Sequence, residues 1–598
     1  MSDTTANSPS APADYNHGAR HRPRRHWVVA PTAPIELFTA LRDIHPLLAQ
    51  VLYARGQTTP DQIRSFLDAP IDEGDPFELA DMAQAVDRIA RAIHTGEQIA
   101  VYGDYDCDGV TASALLCTTL RRLGARVCEY FPDRFDEGYG LHAPALDALK
   151  AEGVGLVVTV DCGGRALREA NHARTIGLDL VITDHHEPEA GLLPDACAVV
   201  NPKRPDCGYP FKALAGVGVA YRLAQALTRV LNGPPIDDLL DLVALGTIAD
   251  VVPLTDENRA LTREGLARMN AQPRVGLKAL MDVAGVTTGA ITATTVGFAL
   301  APRLNAAGRL DTARNAYDLL MAESVEWANE LAKALNKRNI QRQTITAQTA
   351  DRAETEALQP EGSETPPLLF AVLEDCAPER EQRISGVIGL AAARLVERYH
   401  RPAVVVALNN GEGRGSCRSI EGFHITAALD ACGDLLLKYG GHAAAAGFTA
   451  RAEHLRSLRE RLIALAARAQ PETGWVRVIR ADAEVRLEKL SFETFEALQR
   501  LEPHGMSNPR PTFVVRGALV RDVQRVGRAE HGGALPHLRL RLRDARGAIW
   551  DAVGWRIGED AAQIGNDTRI DLAFQLDVNE WQSQKRLQLV IVDWRTSD

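Results

Sequence analysis

The feature that most constrains the fold of this chain is a regular alternation of short apolar segments with longer amphipathic ones, which begins near Gln98. The apolar segments are rich in β-branched residues, and the segments between them have helical periodicity. This alternation is typical of a parallel β-sheet that is covered by helices on both faces. The predicted strands are "QIAVYGDYD", "RVCEYFPDR", "GLVVTVDCG", "DLVITDHHE" and "CAVVNPK".

Acidic and imidazole side chains follow three of these strands and one later apolar segment. They are Asp104, Asp106 and Asp108 in "IAVYGDYDCDG", Asp161 in "LVVTVDCGG", Asp184, His185 and His186 in "LVITDHHEP", and Asp250 in "LVALGTIADVVPL". Ligand sites of parallel α/β sheets lie outside the carboxyl ends of the strands. We therefore expect the first three segments to bring their polar side chains to one edge of one sheet.

This combination of side chains favours a metal centre. Crowded carboxylates raise each other's pKa unless cations compensate their charge. Carboxylates with imidazole and without thiolate suit Mn²⁺ or Mg²⁺, and the imidazole favours Mn²⁺. The ligands suffice for two ions about 4 Å apart, an arrangement that activates water and stabilises a phosphoryl oxygen. A single aspartate after a strand is usually a cap or turn residue, so the prediction depends on the four segments together.

The 598 residues are too many for one hydrophobic core, so several domains are expected. A basic segment, "RHRPRRHW", lies near the N-terminus and could contact phosphate, although a solvated tail is the simpler interpretation. The C-terminal region has strand-like alternation and few helices, which is typical of a small closed barrel. The predicted regions are a disordered tail at 1–30, a helical N-terminal region at 31–90, an α/β catalytic domain at 91–310, a helical connector and linker at 311–366 with a long polar helix near Ser324–Glu356, a second α/β domain at 367–470 and the barrel at 471–598.

Composition excludes several classes of protein. The hydrophobic fraction of 45% and the charged fraction of 24% are ordinary for a soluble globular protein. No apolar run reaches the roughly 18 residues that span a bilayer, so no membrane association is expected. The nine cysteines form no CxxC pair, which argues against a disulfide framework and a thiolate zinc site and favours a cytoplasmic protein. The net charge of −11 argues against non-specific coating of nucleic acid but leaves room for a nucleic-acid enzyme with local contacts.

The ordered motifs "DYDCDG", "VDCG", "DHH" and "GTIAD" resemble those of the DHH phosphoesterase superfamily. Further stretches resemble its branch of single-strand-specific exonucleases, and together they span roughly Ala100 to Phe448. These stretches are "LAGVGVAYRLAQAL", "APRLNAAGRL", "GRGSCRS" and "YGGHAAAAGF". The resemblance implies an α/β protein with a parallel-sheet DHH domain, a long helical connector, a second α/β domain called the DHH-associated domain, and a C-terminal OB-like β-barrel.

The resemblance also implies the roles of the strand-end residues. The first ion would be held by Asp104, Asp106 and Asp161. The second ion would be held by Asp108, Asp161, His185 and Asp250. His186 would lie close to the scissile phosphate as an electrostatic partner or proton donor, and Asp184 would orient the histidines.

Two glycine- and arginine-containing segments, "PRLNAAGR" and "GEGRGSCRS", are candidates for phosphate binding. Guanidinium groups bind phosphate with paired donors, and small neighbours allow close approach. From the residues alone, the first segment is more simply a turn with surface arginines, and the resemblance reverses that preference. His442 in "GGHAAAAG" would face the cleft or, alternatively, be a buried structural histidine. The predicted phosphate-binding residues are Arg303, Asn305, Arg309, Arg414, Ser416, Arg418, Ser419 and His442.

The segment "HLRLRLRDARGAIWDAVGWR" alternates leucines with Arg539, Arg541 and Arg543 and contains Trp550 and Trp555. A basic groove with aromatic platforms is how OB barrels hold single strands. An equally simple interpretation is a solvated arginine face with tryptophans in the core.

The function implied by the resemblance is a 5′→3′ exonuclease that acts on single-stranded DNA and releases mononucleotides. It would serve recombination and repair, with a helicase and single-strand-binding protein as partners. The spacing of carboxylates reveals neither polarity nor a preference for DNA. One alternative is a DHH phosphodiesterase for short RNA or cyclic dinucleotides, although such relatives generally lack a C-terminal barrel. The other is a non-catalytic DNA-binding scaffold, although such relatives have lost metal ligands that are present here.

Overall fold

The computed structural model describes residues 25–68, 74–134, 137–189, 191–310, 312–359, 365–375, 377, 384–527, 535–581 and 584–597. Most of the basic segment near the N-terminus lies outside the described residues. The predicted disordered tail is wrong at its C-terminal end, because a strand, β1, occupies Arg25–Val29. Trp27 in this strand is buried, and its indole N–H donates to Asp593 near the C-terminus over 2.8 Å. The aromatic residue of the basic segment is therefore part of a core.

The predicted helical region at 31–90 is divided between two domains. Its first helices are α1 (Ile35–Ala40), α2 (Pro46–Ala54) and α3 (Pro60–Asp68). Leu48 and Leu52 of α2 share a hydrophobic core with Phe513 and Leu572 of the C-terminal barrel. The next helix, α4 (Met82–Thr95), packs instead into the core of the first α/β domain.

The first α/β domain contains the predicted parallel sheet. Its strands are β2 (Gln98–Gly103), β3 (Arg126–Tyr130), β4 (Val154–Val160), β5 (Asp179–Thr183) and β6 (Ala198–Val200), in the order β3-β2-β4-β5-β6. The sheet is covered on both faces by α5 (Cys107–Arg122), α6 (Ala143–Ala151) and α7 (Leu167–Thr175). Ile99 packs into the core that contains α5, and Ala100 packs into the core that contains α6 and α7. Strands β3 and β4, which are consecutive in the chain, lie on opposite sides of β2, so the strand order reverses at β2. Ligand sites of parallel α/β sheets form where the strand order reverses.

A group of helices completes this domain and leads to the connector. They are α8 (Gly216–Val230), α9 (Leu240–Ala249), α10 (Asp256–Ala271), α11 (Val275–Ala284), α12 (Ala293–Thr295), α13 (Ala301–Leu310) and α14 (Arg314–Met321), with a π-helical turn at Val296–Leu300 between α12 and α13. The predicted long polar helix is α15, Val325–Ala357, and Ser324 caps its N-terminus by accepting the N–H of Trp327. Among the described helices, none has the length and apolar character that a membrane span requires.

The second α/β domain has a mixed sheet. Its elements are β7 (Leu369–Glu374), α16 (Ile388–Tyr399), β8 (Ala403–Asn409), β9 (Glu412–Arg418), α17 (Ile425–Asp430), β10 (Lys438–His442), β11 (Ala445–Arg451) and α18 (Leu455–Ala469). The strand order is β10-β11-β9-β8-β7, in which only β7 and β8 pair in parallel. The glycine-rich strand β10 lies at the edge of this sheet.

The C-terminal region is the predicted closed barrel. Its elements are β12 (Arg477–Ala481), β13 (Ala483–Glu484), α19 (Phe492–Gln499), β14 (Phe513–Val526), β15 (His537–Arg543), β16 (Ile549–Gly554), β17 (Arg569–Trp581) and β18 (Gln584–Thr596). Strand β14 pairs with both β15 and β17, which closes the order β14-β15-β16-β18-β17 into a ring. Leu538, Leu540 and Leu542 are buried in the barrel while the arginines between them face outward, so the predicted alternation is confirmed.

Candidate active site

The side chains that follow the strands of the parallel sheet lie together at its carboxyl edge. Three overlapping groups each bring their ligand atoms within 4.8 Å of one another. The groups are Asp104, Asp106 and Asp161, then Asp108, His185 and Asp250, and finally Asp161, His185 and His186. All the residues predicted as metal ligands are therefore in one place, although they come from distant parts of the chain.

The first turn of α5 positions two of the carboxylates. Asp106 caps this helix, because its Oδ1 accepts the N–H groups of Asp108 and Gly109 over 2.9 and 3.2 Å. Asp108 accepts the N–H groups of Gly216 and Val217 at the start of α8, over 2.7 and 2.8 Å. The positive N-terminal ends of two helices thus hold these aspartates in place.

Asp161 occupies the centre of the site and has an unusual backbone. Its φ of 62° lies in the left-handed region, which few residues other than glycine adopt. Its Oδ1 lies 3.1 Å from Nε2 of His185, which in turn lies 3.5 Å from Oδ2 of Asp250. Gly216 allows α8 to approach, because a Cβ at this position would lie 2.5 Å from the Cβ of Asp161.

The donor atoms fit a divalent cation. Oδ1 of Asp104, Oδ1 of Asp161 and Nε2 of His185 are buried and have no hydrogen-bond partner among the described residues. A buried polar atom without a partner costs about 1–3 kcal/mol. Carboxylate oxygens with an imidazole nitrogen are ligands that Mn²⁺ and Mg²⁺ accept. Cations at this edge would supply the missing partners.

The electrostatics of the carboxylates lead to the same interpretation. Burial and repulsion by neighbouring aspartates raise the pKa of Asp104, Asp161 and Asp250 well above the usual range. Burial and the charge of Asp106 raise the pKa of Asp108 to about 7. Bound divalent cations would relieve this repulsion.

The pKa values of the two adjacent histidines are shifted in opposite directions. Burial and the charge of His186 lower the pKa of His185 to about 3, so His185 is neutral and has a lone pair to offer a metal. Burial acts to lower the pKa of His186, but the carboxylate of Asp184, whose Oδ1 lies 2.7 Å from Nδ1 of His186, raises it to about 9. Asp184 is itself fixed by the backbone N–H of Gly164 over 2.7 Å. His186 is therefore a cation at neutral pH in the metal-free protein.

Two residues that make polar contacts in this site, Tyr139 and Asn201, were not among the predicted site residues. The hydroxyl of Tyr139 lies 3.1 Å from Nδ1 of His186 and donates to the carbonyl of Asp161 over 3.3 Å. Only its glycine neighbours mark Tyr139 as a loop residue. The amide of Asn201 donates to the carbonyl of His186 over 2.8 Å. Asn201 follows the predicted strand "CAVVNPK", so it shares the strand-end signal of the metal-ligand candidates.

Asn305 and Arg303 of α13, predicted to bind phosphate, are engaged within the protein. Oδ1 of Asn305 accepts the N–H of Cys107 over 2.7 Å, at the start of α5. Nε of Arg303 donates to Oδ1 of Asn336 in α15 over 3.0 Å. These two hydrogen bonds hold α13 against α5 and α15. They also give partly buried polar groups at the helix contacts the partners that such groups require.

Arg309 belongs to an arginine cluster, which consists of Arg134, Arg309, Arg342 and Arg418. Burial and the charges of Arg134 and Arg342 lower the pKa of Arg309 to about 9, while the negative charge of Asp106 acts in the opposite direction. Burial and the charge of Arg134 also lower the pKa of Arg418. The cluster therefore combines cations from the first domain, the connector and the second domain beside the carboxylates.

The other predicted phosphate-binding residues of the second domain differ in their surroundings. Ser416 lies beside the cluster, with its Oγ 3.3 Å from Nη1 of Arg418, whereas Arg414 is exposed on the same strand. The hydroxyl of Ser419 donates to the carbonyl of Phe423 over 2.6 Å and so stabilises a loop. The side chain of His442 is exposed, which excludes the buried alternative. Partial loss of hydration at its ring and nearby positive charges, which include that of His186, lower its pKa.

A cleft of about 580 Å³ lies on the barrel and is lined by basic, apolar and three acidic side chains, the acids being Glu488, Asp544 and Asp551. Arg541, Arg546 and Lys585 supply positive charge, and the half-buried Trp550 lies between them. Trp555 is 54% exposed, whereas Trp550 is partly buried and packs against the barrel core. The alternative of core tryptophans is therefore wrong for Trp555, while Trp550 lies at the margin of the core and its indole N–H donates to Asp544 over 3.3 Å.

Comparisons with known proteins agree with this architecture. Residues 98–247 match the DHH family, N-terminal domain, residues 368–468 match the DHHA1 domain, and residues 481–593 match the RecJ OB domain. The chain is 40% identical over 567 residues to the single-stranded-DNA-specific exonuclease RecJ of Bacillus subtilis (strain 168), which covers 94% of this chain and 70% of that protein. It is 36% identical over 586 residues to RecJ of Dickeya dadantii (strain 3937), which covers 94% of this chain and 97% of that protein.

The chain belongs to the RecJ family. The crystal structure of RecJ in complex with Mn²⁺ from Thermus thermophilus superposes with a TM-score of 0.81 at 31% identity, covering 96% of this chain and 80% of that chain. The resemblance to the single-strand-specific exonuclease branch of the DHH superfamily is confirmed, and so is the predicted fold with its closed barrel. The exact domain boundaries and the roles of individual residues stay predictions.

Proposed function

We propose that this RecJ family member is a metal-dependent nuclease that degrades single-stranded DNA from the 5′ end and releases mononucleotides. The observation that carries the proposal is the convergence of carboxylates and a neutral histidine at one sheet edge, beside a cluster of arginines. The curated relatives named above are single-stranded-DNA-specific exonucleases. The 5′→3′ polarity depends on the family resemblance alone.

Two divalent ions would complete the site, with Mn²⁺ favoured over Mg²⁺. The Thermus relative is a Mn²⁺ complex, and the donor set here combines carboxylates with imidazole. Asp104, Asp106 and Asp161 would hold one ion, and Asp108, Asp161, His185 and Asp250 would hold the other. When bound, the ions activate water and stabilise charge on the phosphate oxygens.

The protein itself contributes positioning and a proton. The N–H groups of Gly216 and Val217 hold Asp108 in place before any ligand arrives. The protonated His186, held by Asp184 and the hydroxyl of Tyr139, would place positive charge at the scissile phosphate and donate a proton to the leaving oxygen. Pre-arranged groups of this kind lower the barrier because they need no reorganisation during the reaction.

The strand would bind along basic surfaces of three domains. The arginine cluster would hold phosphate next to the carboxylates, and the exposed His442 would face it from the edge strand β10. The barrel cleft, with its arginines and Trp550, would bind the strand farther from the site. We extend the proposal to recombination and repair, with a helicase and single-strand-binding protein as partners.

The cellular location is part of the same proposal. The cysteines of the described residues are free thiols, as expected in the reducing cytoplasm. We therefore place the enzyme in the cytoplasm.

The proposed function is tested with long single strands labelled at either end, incubated with Mn²⁺, with Mg²⁺ or with EDTA. We expect the 5′ label to be released at once as a mononucleotide, while 3′-labelled strands shorten gradually, and we expect no cleavage in EDTA. Absence of cleavage with either metal would favour the DNA-binding scaffold. Faster cleavage of a dinucleotide than of a long strand would favour the short-substrate phosphodiesterase.

The Asp184→Asn substitution is expected to lower the pKa of His186 from about 9 toward or below the ordinary value of about 6.5, because the neighbouring negative charge is lost. A protonated His186 keeps its proton until the pH rises through its pKa, so the basic limb of the pH–rate profile should move to lower pH. At pH 8 the rate should fall by about tenfold or more. The measurement is the pH–rate profile, together with a nuclear magnetic resonance titration of His186 in the metal-free protein.

The matched control for this prediction is Asp147→Asn, which removes the carboxylate 2.7 Å from the distant His172. The control should leave the profile unchanged. A basic limb that stays in place in Asp184→Asn would contradict the assigned role of His186.

The double substitution Arg541→Ala and Arg546→Ala is expected to weaken single-strand binding by about tenfold at moderate salt, because both arginines line the barrel cleft. The slope of log affinity against log salt should fall by about 1–2. The measurement is fluorescence anisotropy of a labelled oligonucleotide in EDTA at several salt concentrations. The control pair is Arg456→Ala with Arg468→Ala on the exposed face of α18. An unchanged slope in the cleft variant would show that the strand passes elsewhere.

A further inference from the structure

Phe298 is the most exposed large apolar side chain among the described residues, with 79% of its surface accessible. It lies in the π-helical turn Val296–Leu300, whose end residues Val296 and Leu300 are fully buried. The buried ends anchor the turn, so the phenyl ring is held in water by a fixed support. Single π-helical turns are rare and frequently occur at functional sites.

The π-helical turn is supported by the helix that ends at a predicted metal ligand. A Cβ on Gly297 would lie 3.6 Å from Cγ2 of Ile248, in the last turn of α9. Asp250 follows that turn directly. The next residue, Val251, is 58% exposed and has a φ of 61°, a strained conformation for a β-branched residue. Exposed apolar groups and backbone strain thus coincide beside the predicted second metal position.

The helix that continues from the turn, α13, leads to the other side of the site. Asn305 binds the backbone at the start of α5, and Arg309 lies in the arginine cluster near Asp106. Phe298 precedes Asn305 by seven residues, which is about two helical turns or 10 Å. An aromatic ring and the cation Arg309 therefore lie along one rigid support.

We infer that Phe298 is a stacking platform for one unpaired base of the substrate strand, held about two helical turns from Asn305, whose side chain contacts the start of α5. This inference rests on the proposed function. Aromatic rings with neighbouring cations are the usual means of holding single strands, and each stacked base contributes about five- to 150-fold in affinity. A base inside a duplex has both faces covered by its neighbours, so the platform also selects single strands.

The test compares Phe298→Ala and Phe298→Trp with the wild-type enzyme on single strands in Mn²⁺. Phe298→Ala is expected to raise KM about five- to twentyfold with kcat within twofold, since ground-state binding is lost and the reacting atoms are untouched. Phe298→Trp is expected to retain the wild-type KM, which separates stacking from misfolding. The control is Ile35→Ala, because Ile35 is also a highly exposed apolar residue (70%) but lies on α1 beside the barrel.

A second arm uses strands with one abasic site moved along the sequence. At one position, removal of the base should weaken binding to the wild type by the factor that Phe298→Ala costs, and the two changes together should cost no more than either alone. An unchanged KM in Phe298→Ala, or additive losses at every position, would overturn the inference. A sedimentation mass that differs between the wild type and Phe298→Ala would assign the ring to contacts between copies and overturn it as well. If the wild type degrades no strand, the proposed function fails instead.

Discussion

The Asp161→Asn substitution is expected to reduce the rate of single-strand cleavage by about a thousandfold or more, which corresponds to about 4 kcal/mol of lost transition-state stabilisation. Asp161 contributes to two of the three groups of converging ligand atoms and lies 3.1 Å from His185, so both proposed ions depend on it. Asparagine adopts the left-handed backbone more readily than most residues, and Asp161 has a φ of 62°. The substitution therefore removes a charge without a large change of shape.

Metal binding and stability distinguish this loss from misfolding. Burial and repulsion by Asp108 and Asp106 raise the pKa of Asp161, so its ionised form destabilises the metal-free fold. This penalty grows as the pH rises above the ordinary aspartate pKa of about 3.9. At neutral pH in EDTA, the variant should unfold at the same or a higher temperature than the wild type. Added Mn²⁺ should raise the wild-type unfolding temperature and have little effect on the variant.

The measurements for Asp161→Asn are kcat/KM on a labelled strand, calorimetric titration with Mn²⁺, and thermal unfolding with and without the metal. Asp282→Asn, at an exposed position of α11, is the control and should match the wild type in all three. A rate within tenfold of the wild type would contradict the proposal that Asp161 bridges two ions.

The parallel sheet and its polar edge could be predicted because their signal is local and repeated. Each strand is a β-branched run, and the polar residue follows at the point where the run ends. Parallel strands then bring these residues to one edge whatever the rest of the chain does. For this reason Asp104, Asp161 and His185 were identified as neighbours from the sequence alone, and Asn201 could have been found by the same reasoning.

The packing of the N-terminal helices could not be predicted. Both α2 and α4 present apolar side chains to a core, yet Leu48 joins the core of the barrel and Ile89 joins the core of the first domain. Hydrophobic burial is non-directional, so an apolar face indicates that a partner exists without identifying it. Long-range partners of this kind require the three-dimensional structure.

The roles of polar residues in "PRLNAAGR" show a related limit. An asparagine oxygen accepts a hydrogen bond from any suitable donor, and its partner here is the N–H of Cys107. The sequence contained the segment, but not the approach of α13 to the start of α5. Tyr139 is not part of any repeated spacing in the sequence, and its hydroxyl comes to lie beside His186 only through the three-dimensional fold.

The Gly216→Ala substitution is expected to reduce strand cleavage by about a hundredfold or more, although it adds only one methyl group. The added Cβ would lie 2.5 Å from the Cβ of Asp161 and 2.6 Å from its Oδ1, so Asp161 or the start of α8 must move. Movement of α8 would also weaken the 2.7 Å hydrogen bond from the N–H of Gly216 to Asp108. Both proposed metal positions would be distorted, and the affinity for Mn²⁺ should fall with the rate.

Gly218→Ala in the same helix provides the matched control. Its added Cβ would lie 3.1 Å from Cδ2 of the buried Leu214, a contact that a shift of a few tenths of an ångström at the end of that side chain relieves. Both variants add one methyl group in the first turn of α8, and only Gly216→Ala places that group against Asp161. Thermal unfolding in EDTA, Mn²⁺ titration and cleavage rates are measured for both. Equal losses of rate in the two variants would show that glycine in α8 serves helix packing in general, because a methyl group at position 218 does not reach Asp161.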